Sequence, residues 1–579
     1  MLNPKPMPNS KDLNNFSLLT AVGLFILWAI IPAYYLIQGQ DANWDLQNYH
    51  LYNTISIIED PTSSDIAPAG MQTYYNPLVS LPAYLIHRVA STPGESFWYG
   101  FGLASFQGLC GPIVFKITQL LIPCSNIIAF FIALFGITSP ILLSEAGSSM
   151  ADLTICVLQM SAIYFCLSSL TLFRRHRSIA MSIGWGILGA ACGIKFSAIF
   201  SLPLTLAISL ISLRDDESFT LNFSLFKRLV YTIVIPVILG FTIFGVMWFT
   251  RSWTDNGNPL YPLFSSIFGD SKMFTTDNHD DNRFVVSGFV EYFTAPFLEF
   301  INKPMQRSEV AYRDMRPMLW MYLNIASLSV ASYNFSRKKE KKAKKFNAKL
   351  PTLLGFQSAL IVSYVIWISE AGIARYSIHM QILSGASIYI SLLLLTTQED
   401  VQTLIQNNSK LLTTKSRNFY IFAFLLAISI ITTQVPNWGR TSFQVRWNSL
   451  KPVGSSEEFS STQYLLDKNN DSNKNTPIVL VDKPLGWLKQ FSPSGQQFSL
   501  VDDYLKADYI QTVKSNIISK NGKFIIIGLL DKNKLSANKA ISITKHNFKF
   551  RTSECQDYTT PTNQQIRKCL SVIEKEEVL

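Results

Sequence analysis

The chain has 579 residues, of which 48% are hydrophobic and only 15% are charged, and its formal net charge is +11. The apolar residues come in blocks of about twenty with almost no charge, which is the length that crosses a hydrocarbon layer of about 30 Å. This distribution excludes an ordinary soluble globular protein, and it assigns the basic excess to cytoplasmic loops of a membrane protein rather than to nucleic-acid binding.

The apolar blocks predict a mainly α fold, a polytopic transmembrane helical bundle of about eleven spans. The first block has a weakly basic leader and no cleavage site nearby, so we expect it to be retained as a span. Residues 78–89 have the spacing of an amphipathic helix that lies on the membrane surface. The predicted spans are residues 16–37, 97–121, 125–144, 153–173, two within 179–213, 229–249, 317–335, 351–369, 377–396 and 419–435.

The block at residues 179–213 is too long for one span, and Gly189, Gly193 and Lys195 interrupt its middle. Interrupted backbone at membrane depth is tolerated where it lines a cavity. We therefore predict two short helices that meet near Lys195.

Charge asymmetry predicts a cytoplasmic N-terminus and an external C-terminus. With two crossings at 179–213, the basic clusters at 174–177, 227–228, 337–345 (RKKEKKAKK) and 410–417 all fall inside. The loops at 39–95 and 250–316 then fall outside. A single crossing would place RKKEKKAKK outside, against the strongest charge signal in the chain.

The composition changes near residue 436, which divides the chain into a transmembrane domain (1–435) and an external tail (436–579). In the tail, β-rich runs at 478–481 and 524–528 alternate with helical patterns at 503–518 and 562–574, which predicts a small α/β domain. We expect Cys555 and Cys569 to form a disulfide if the compartment is oxidising. The cysteines inside spans have no metal-ligand spacing.

The first external loop contains WDLQNYHLYN, with Asp45, Asn48, Tyr49, His50 and Tyr52. If Asp45 begins a helix, Asp45, Tyr49 and Tyr52 share one face. The alternative is that Asp45 only caps a helix in a solvated loop.

Two further motifs place charge beside the spans. SEAGSSMAD carries Glu145 and Asp152 around a Gly/Ser turn, and Asp152 could equally be the N-cap of the next span. GIKFSA carries Lys195, which is costly in an apolar block unless it faces a wet cavity or an anion. The alternative for Lys195 is that its ammonium group extends to the membrane surface.

The remaining polar motifs are IARYSIH with Arg375 and Tyr376, RSWTDNGNPLYP with Asn258, and YRDMRP with Arg313 and Arg316. Each Arg could merely mark the interface. On the predicted topology all these motifs share the outer side. There, Arg or Lys would hold a phosphate leaving group, and a carboxylate would take the proton of an acceptor.

An acid in the first external loop, further acids in the second, a W…GNPxxP exit from a span and a late Arg-Tyr pair resemble the GT-C glycosyltransferases over residues 16–435. These are polytopic enzymes that use polyprenyl-phosphate-linked sugars. WDLQNYHLYN, APAGMQTYYNP and YRDMRP look closest to a poorly described bacterial branch. The WWDYG motif of oligosaccharyltransferases is missing, and Leu46 follows Asp45 where protein O-mannosyltransferases have Asp-Glu.

The resemblance implies catalytic acids at Asp45, Glu145 and Asp152, with Asp45 as the base. Lys195 and Arg375 would bind the lipid phosphate. Substrate-binding roles are expected for Asn48, Tyr49, His50, Lys195, Asn258, Arg313, Arg316, Arg375 and Tyr376. The need for a divalent metal stays open.

The leading hypothesis is thus an inverting glycosyltransferase of the bacterial inner membrane, with a periplasmic tail, a polyprenyl-phosphate-linked donor and a glycan, lipid or protein acceptor. One alternative is a lipid-linked glycan flippase or polymerase of envelope assembly. A transporter should show broken or charged helices in two corresponding halves, whereas this chain has one such interruption. A second alternative is a non-catalytic assembly factor that acts through its tail.

The predicted topology can be tested by reporter fusions at Lys342 and Ser472. We expect the fusion at Lys342 to report the cytoplasm and the one at Ser472 the opposite compartment, because the basic loop stays inside. The same compartment for both fusions would contradict the topology.

Overall fold

The computed structural model describes most of the chain in separate segments. The described residues are 18–58, 65–81, 95–122, 124–170, 176–214, 223–261, 264–269, 283–301, 305–338, 349–396, 417–445, 449–452, 459–460, 476–491, 496–500, 507–531, 534–535, 550–560 and 563–573. The predicted surface helix at 78–89 and the basic clusters at 174–177, 337–345 and 410–417 lie wholly or partly outside them.

Up to residue 432, the regular elements of the described residues are helices and one short strand. Its α-helices are Leu18–Gln38, Leu51–Ile58, Glu95–Gln107, Cys110–Leu121, Asn126–Ile137, Pro140–Ser144, Asp152–Ser168, Arg177–Ile194, Leu202–Arg214, Phe223–Leu229, Ile235–Asn256, Ser265–Phe268, Phe289–Ile301, Arg316–Lys338, Lys349–Glu370, Ile378–Thr396 and Arg417–Thr432. Leu46–His50 and Val230–Val234 are π-helical turns. The 3-10 helices are Gly70–Tyr74, Pro77–Val79, Phe196–Ser201 and Ala374–Ser377.

Among the described residues, seven helices are long and apolar enough to cross a membrane. Three shorter apolar helices (Asn126–Ile137, Asp152–Ser168 and Arg417–Thr432) coincide with further predicted spans. The span predicted at 317–335 forms the Arg316–Lys338 helix but is not among the seven. Two of its polar residues face inward, since Asn324 donates to the Gln357 carbonyl at 3.0 Å and Ser327 to the Ser391 hydroxyl at 3.2 Å.

The long apolar block is broken where the sequence predicts. The Arg177–Ile194 helix ends before Lys195, which has an extended backbone, and Phe196–Ser201 then leads into the Leu202–Arg214 helix. The glycines lie inside the first helix, where they allow close packing instead of interrupting it. A Cβ at Gly189 would come within 2.1 Å of the Val237 carbonyl oxygen of the Ile235–Asn256 helix. Small residues allow this approach between apolar helices.

The tail forms a mixed sheet. Its strands are β3 (Ser449–Pro452), β4 (Phe459–Ser460), β5 (Ile478–Leu480), β6 (Gln497–Ser499), β7 (Lys523–Asp531), β8 (Lys534–Leu535), β9 (Phe550–Thr559) and β10 (Gln565–Ile573), while β1 (Gln40–Asp41) and β2 (Arg440–Thr441) form a separate pair. The order is β4-β3-β9-β10-β7-β5-β6, with β8 beside β7. β5 is parallel to both β6 and β7, and the Ala507–Ser519 helix connects β6 to β7.

The helix predicted at 562–574 is wrong, because this segment is strand β10 between β7 and β9. The register shifts between Cys569 and Leu570. The extra residue of this bulge, Glu554, lies in β9, whereas β10 pairs with β7 without a shift. In the sequence, Ile566, Cys569 and Ile573 recur at a spacing that is also typical of a helix. By contrast, the strands predicted near 478 and 524 and the helix near 503–518 are confirmed where the chain is described.

The predicted disulfide is confirmed, since Cys555 of β9 and Cys569 of β10 face each other and are bonded. The tail also shares its hydrophobic core with the first external loop. Leu46, Leu51 and Ile55 pack with Leu480 and Trp487 in one cluster. The division at residue 435 stays a prediction about the chain, but Leu480 and Trp487 of the tail share one hydrophobic cluster with residues 46–55.

A fully buried arginine ties three helices together at one end of the bundle. Arg316 pairs with Asp314 at 2.7 Å and donates to the Phe135 carbonyl, Thr138 and Thr433 at 3.0 to 3.1 Å. Its side chain is 0% exposed. The backbone of Arg313 pairs with Gln434 in the same region, while its side chain is exposed.

Arg316→Met should destabilise the fold by about 3–5 kcal/mol, because it leaves the Asp314 carboxylate buried and unpaired. Arg313→Met is the matched control, and its exposed position predicts a change within about 0.5 kcal/mol. Thermal unfolding of both variants in detergent measures the difference. Equal melting temperatures for the two variants would contradict this account.

Candidate functional site

Four chain segments that are distant in sequence meet at one end of the helical bundle. They are the start of the first external loop at Asp45, the turn from Glu145 to Asp152, the helix break at Lys195, and the 3-10 helix Ala374–Ser377. Their charged side chains form the charge cluster, defined here as Asp45, Asp152, Lys195 and Arg375.

Asp45 lies inside a helix and does not cap it. The Asn43 side chain is the cap, since its Oδ1 accepts the Leu46 N–H at 2.7 Å. Asp45 has helical backbone angles, makes no capping bond and is followed by the π-turn Leu46–His50. Its carboxylate is therefore free of local backbone bonding and is directed to another part of the chain.

Arg375 is the hub of the charge cluster. Its Nη1 lies 2.7 Å from Asp45 Oδ2, and its Nε lies 3.9 Å from Asp152 Oδ2. Its Nη2 lies 3.9 Å from Glu309 Oε1, an acid that the sequence did not point to. The Arg375 and Asp45 side chains are each only 12% exposed, so the pair is shielded but still open to one side.

Lys195 completes the charge cluster. Its Nζ lies 2.6 Å from Asp152 Oδ1 and donates to the Met150 carbonyl at 2.9 Å. The ammonium group therefore faces an anion within the protein, and this contact favours the pairing interpretation over extension to the membrane surface. Both cations lie against the Tyr376 ring, with Lys195 Nζ at 5.4 Å and Arg375 Cζ at 5.6 Å from its centroid.

Glu145 and Asp152 have different surroundings. Glu145 Oε2 accepts the Leu153 N–H at 2.8 Å, so Glu145 satisfies the N-terminus of the helix that carries Asp152. Glu145 is 0% exposed, and burial raises the pKa of its carboxyl, with the nearby Asp152 adding to this effect. Asp152 is thus left to face Lys195 and Arg375.

The Asp45 carboxyl is held in its ionised form. Burial is the largest influence and alone would raise its pKa, but Arg375, His50 and Lys195 together, with Arg375 foremost, hold the pKa below its usual value. As it stands, Asp45 is a weak base whose strength depends on its contact with Arg375.

Asn48, Tyr49 and His50 lie in the π-turn and are buried. Asn48 Nδ2 lies 3.4 Å from both the Ala69 carbonyl and Gln72 Oε1, and the Tyr49 ring packs against His50 at 4.2 Å between centroids. These side chains connect the Asp45 helix to the Gly70–Tyr74 segment.

Other predicted site residues do not join the charge cluster. Tyr52 donates to Asp65 at 3.0 Å. Tyr49 and Tyr52 pack together with Ala69, and the shared face of Asp45, Tyr49 and Tyr52 stays a prediction. Asn258 accepts the Leu260 N–H at 2.9 Å in a local turn. Arg313 is exposed and Arg316 is committed to Asp314, so their substrate-binding roles stay predictions.

Sequence reasoning missed several residues that support the site. Asp41 accepts the Ser149 N–H and hydroxyl at 2.7 Å, which joins the first loop to the Glu145–Asp152 turn. From the start of the tail, Trp438 lies 5.9 Å from Arg375, and Arg440 donates to the Ser144 carbonyl at 2.6 Å. The only sequence signal for Asp41 was its place four residues before Asp45.

The arrangement brings two cations and three carboxylates to one partly open point beside the apolar helices. Such a set can neutralise a phosphate and remove a proton. Within the described part of the chain, no group of three or more His, Cys, Asp and Glu side chains could hold a metal ion. The question of a divalent metal stays open.

No family model matches this chain, and no curated protein matches it. A solved structure of ArnT from Cupriavidus metallidurans bound to undecaprenyl phosphate is similar over 95% of this chain and 97% of that one. The two chains are 11% identical, and the TM-score is 0.46. A likeness at this level does not assign a function.

His50 should make stability depend on pH. Burial lowers its pKa to about 3, whereas an unfolded histidine has a pKa of about 6.5. Between these values only the unfolded chain binds the proton, so stability should fall as the pH drops from about 6.5, by up to about 1.4 kcal/mol per pH unit. Melting temperatures at about pH 7 and about pH 5 should differ less for His50→Asn than for the unmodified protein.

The control is His176→Asn at an exposed position, which should keep the original pH dependence. Equal acid sensitivity of His50→Asn and the unmodified protein would contradict a buried neutral imidazole.

Proposed function

We propose that this protein is a membrane glycosyltransferase that moves a sugar from a polyprenyl-phosphate carrier to an acceptor hydroxyl. The observation that carries the proposal is the charge cluster, in which Arg375 and Lys195 contact Asp45 and Asp152 at one end of a bundle of apolar helices. A lipid-linked donor presents its phosphate where the spans end. Cations and a carboxylate are therefore needed at that level, and the position of the charge cluster at helix ends supports this role.

In the proposed reaction, the acceptor oxygen bonds to the anomeric carbon while the bond between that carbon and the phosphate oxygen breaks. The bonding electrons leave with the polyprenyl phosphate, whose charge Arg375 and Lys195 neutralise. The acceptor proton passes to Asp45. Direct displacement through an oxocarbenium-like state inverts the anomeric centre.

Donor binding would also activate the base. In the resting site, the guanidinium of Arg375 lies 2.7 Å from Asp45 and keeps it a weak base. A donor phosphate attracts the same guanidinium and loosens its bond to Asp45. The proton affinity of Asp45 then rises only when a donor is present, which limits the base to productive complexes.

The other acids would act as positioning residues. Asp152 holds Lys195 at 2.6 Å and so sets the place of the second cation. Glu145 has no exposed surface, and it bonds to the N-terminus of the helix that carries Asp152. Its influence on the reaction would therefore pass through Asp152. The predicted roles of Asn48, Tyr49 and His50 would likewise be to hold the Asp45 helix, and we keep Asn258, Arg313 and Tyr376 as proposed substrate contacts. Arg316 has no exposed side-chain surface and pairs with Asp314, so its proposed role is to stabilise the helical bundle.

We propose that the site faces the periplasm from a bacterial inner membrane. The tail packs on the same loop that carries Asp45, so the tail and the charge cluster share one side of the membrane. By sequence, the basic clusters that would mark the cytoplasm follow or precede other helix ends than those that carry the charge cluster. The acceptor on that side is a glycan, a lipid or a protein.

Transfer by the purified full-length protein in liposomes tests the proposal, with a panel of labelled sugars on polyprenyl phosphate. Asp45→Asn keeps the shape of the side chain but removes the proton acceptor, so transfer should fall about a hundred- to ten-thousandfold. Asp557→Asn is the matched control, since Asp557 forms an ion pair with Arg567 at 2.7 Å on the tail surface, and it should keep normal transfer. The proposal fails if no donor in the panel is used, and near-normal transfer by Asp45→Asn removes Asp45 from the mechanism.

Donor binding can be measured apart from turnover. Undecaprenyl phosphate should raise the melting temperature of the unmodified protein, because it binds only the folded state. Lys195→Met keeps the length of the side chain but removes its charge, and we expect this variant to require about tenfold more lipid for the same shift. An unchanged response of Lys195→Met would exclude its ammonium group as a phosphate ligand.

A further inference from the structure

The tail holds a turn directly against the helix that carries Asp45. This is the 3-10 turn Gly486–Phe491, which packs against both the π-turn Leu46–His50 and the Leu51–Ile58 helix. Trp487, which is 1% exposed, lies in the same hydrophobic cluster as Leu46 and Ile55. The turn and the Asp45 helix therefore share one hydrophobic core.

The backbones come unusually close at one point of this contact. A Cβ at Gly486 would lie 2.0 Å from the carbonyl oxygen of Asn48 and 3.2 Å from Cβ of Tyr52. Because the nearest atom belongs to the backbone of the π-turn, no side-chain rotation relieves the clash. Any larger residue at position 486 must therefore move the π-turn or the tail.

A buried ion pair lies beside the turn and reaches the same helix. Lys489 Nζ lies 2.7 Å from Asp65 Oδ2, and both side chains are 0% exposed. Asp65 also accepts from the Tyr52 hydroxyl at 3.0 Å and from the Gln497 N–H at 2.7 Å. Tyr52 belongs to the helix that continues from Asp45, so this chain of contacts links the tail sheet to the Asp45 segment.

We infer that the Gly486–Phe491 turn is a positioning element that holds Asp45 in register with Arg375, with Gly486 and Lys489 as its positioning residues. The inference concerns catalysis only if the proposed function is right, but the mechanical link is independent of it. The tail would then be part of the catalytic unit, since its turn sets the depth of the π-turn that begins one residue after Asp45. Without this support the Asp45 carboxylate would lose its contact with the guanidinium 2.7 Å away.

A double-mutant cycle on thermal stability tests the link without any substrate. Asp45→Asn should lower the melting temperature of the unmodified full-length protein, because it weakens the shielded pair with Arg375. In a Gly486→Ala background the pair is already separated, so the same substitution should have less than about half that effect. Gly102→Ala is the matched control, because a Cβ there meets no atom within 4 Å. Its effect and that of Asp45→Asn should add.

A second cycle covers the case in which Gly486→Ala does not fold. Tyr52→Phe removes only the hydroxyl that bonds to Asp65 and leaves the Asp65–Lys489 pair intact, and it should also be non-additive with Asp45→Asn. Additive effects in every cycle whose variants fold would overturn the inference.

Transfer assays then separate this inference from the proposed function. If the chain transfers sugar, Tyr52→Phe should lower kcat several-fold with little change in the KM for the donor. It should also move the acid limb of the pH profile, because the pKa of Asp45 depends on Arg375. A merely unstable variant would lose active protein without moving that limb. An unmoved acid limb in a folded Tyr52→Phe variant counts against the inference. Non-additive cycles in a chain that transfers no sugar would leave the mechanical link in place and refute the proposed function alone.

Discussion

The ion pair between Arg375 and Asp45 joins two positions 330 residues apart in the chain. The arrangement of the site depends on this pair, because neither charge can be buried without the other. Both side chains are largely shielded, and a single buried charge without its partner costs several kcal/mol. The surrounding segments are therefore arranged so that each charge meets an opposite one. Lys195 pairs with Asp152, and Glu309 Oε1 lies 3.9 Å from Nη2 of the Arg375 guanidinium. The result is a nearly balanced group of charges that an incoming phosphate can rearrange.

Neighbouring side chains make the capping hydrogen bonds near the site, so the carboxylates of Asp45 and Asp152 do not have to make them. Asn43 caps the first-loop helix, and Glu145 caps the helix of Asp152. These two capping bonds leave Asp45 and Asp152 free to face the cations. Asp41 then fastens the two loops to each other through Ser149. The charged side chains of the cluster are thus held in position by contacts of their neighbours, which is the condition for preorganised electrostatic stabilisation.

The segment that carries Asp45 contacts both the helical bundle and the tail. Its Asp45 end contacts the helical bundle through Arg375, while Leu46, Leu51 and Ile55 are buried with residues of the tail. Any movement of the tail is therefore transmitted to the position of the carboxylate. This gives the tail a physical reason to be joined to the bundle, whatever else it binds.

The sequence by itself determined the features that depend on local composition. Blocks of about twenty apolar residues specify spans because length and hydropathy are properties of a segment alone. The break at Lys195, the paired Cys555 and Cys569, and the polar character of the outer loops were predictable for the same reason. Counting crossings predicted one common side for Asp45, Asp152, Lys195 and Arg375, and the structure brings these four together. The same count placed Asn258 and Arg313 on that side, and they do not join the cluster.

Only the tertiary structure decided which groups pair. Asp152 resembled a helix cap in sequence, yet Glu145 took that place and left Asp152 to Lys195. Arg313 and Arg316 looked alike beside their span, but one is exposed and the other is buried with Asp314. The apolar spacing of residues 562–574 predicted a helix, but pairing with β7 and β9 makes Gln565–Ile573 a strand. The contact of Gly486 with the Asn48 carbonyl joins residues far apart in the chain, and a distance between such positions is set by packing, which no local pattern encodes.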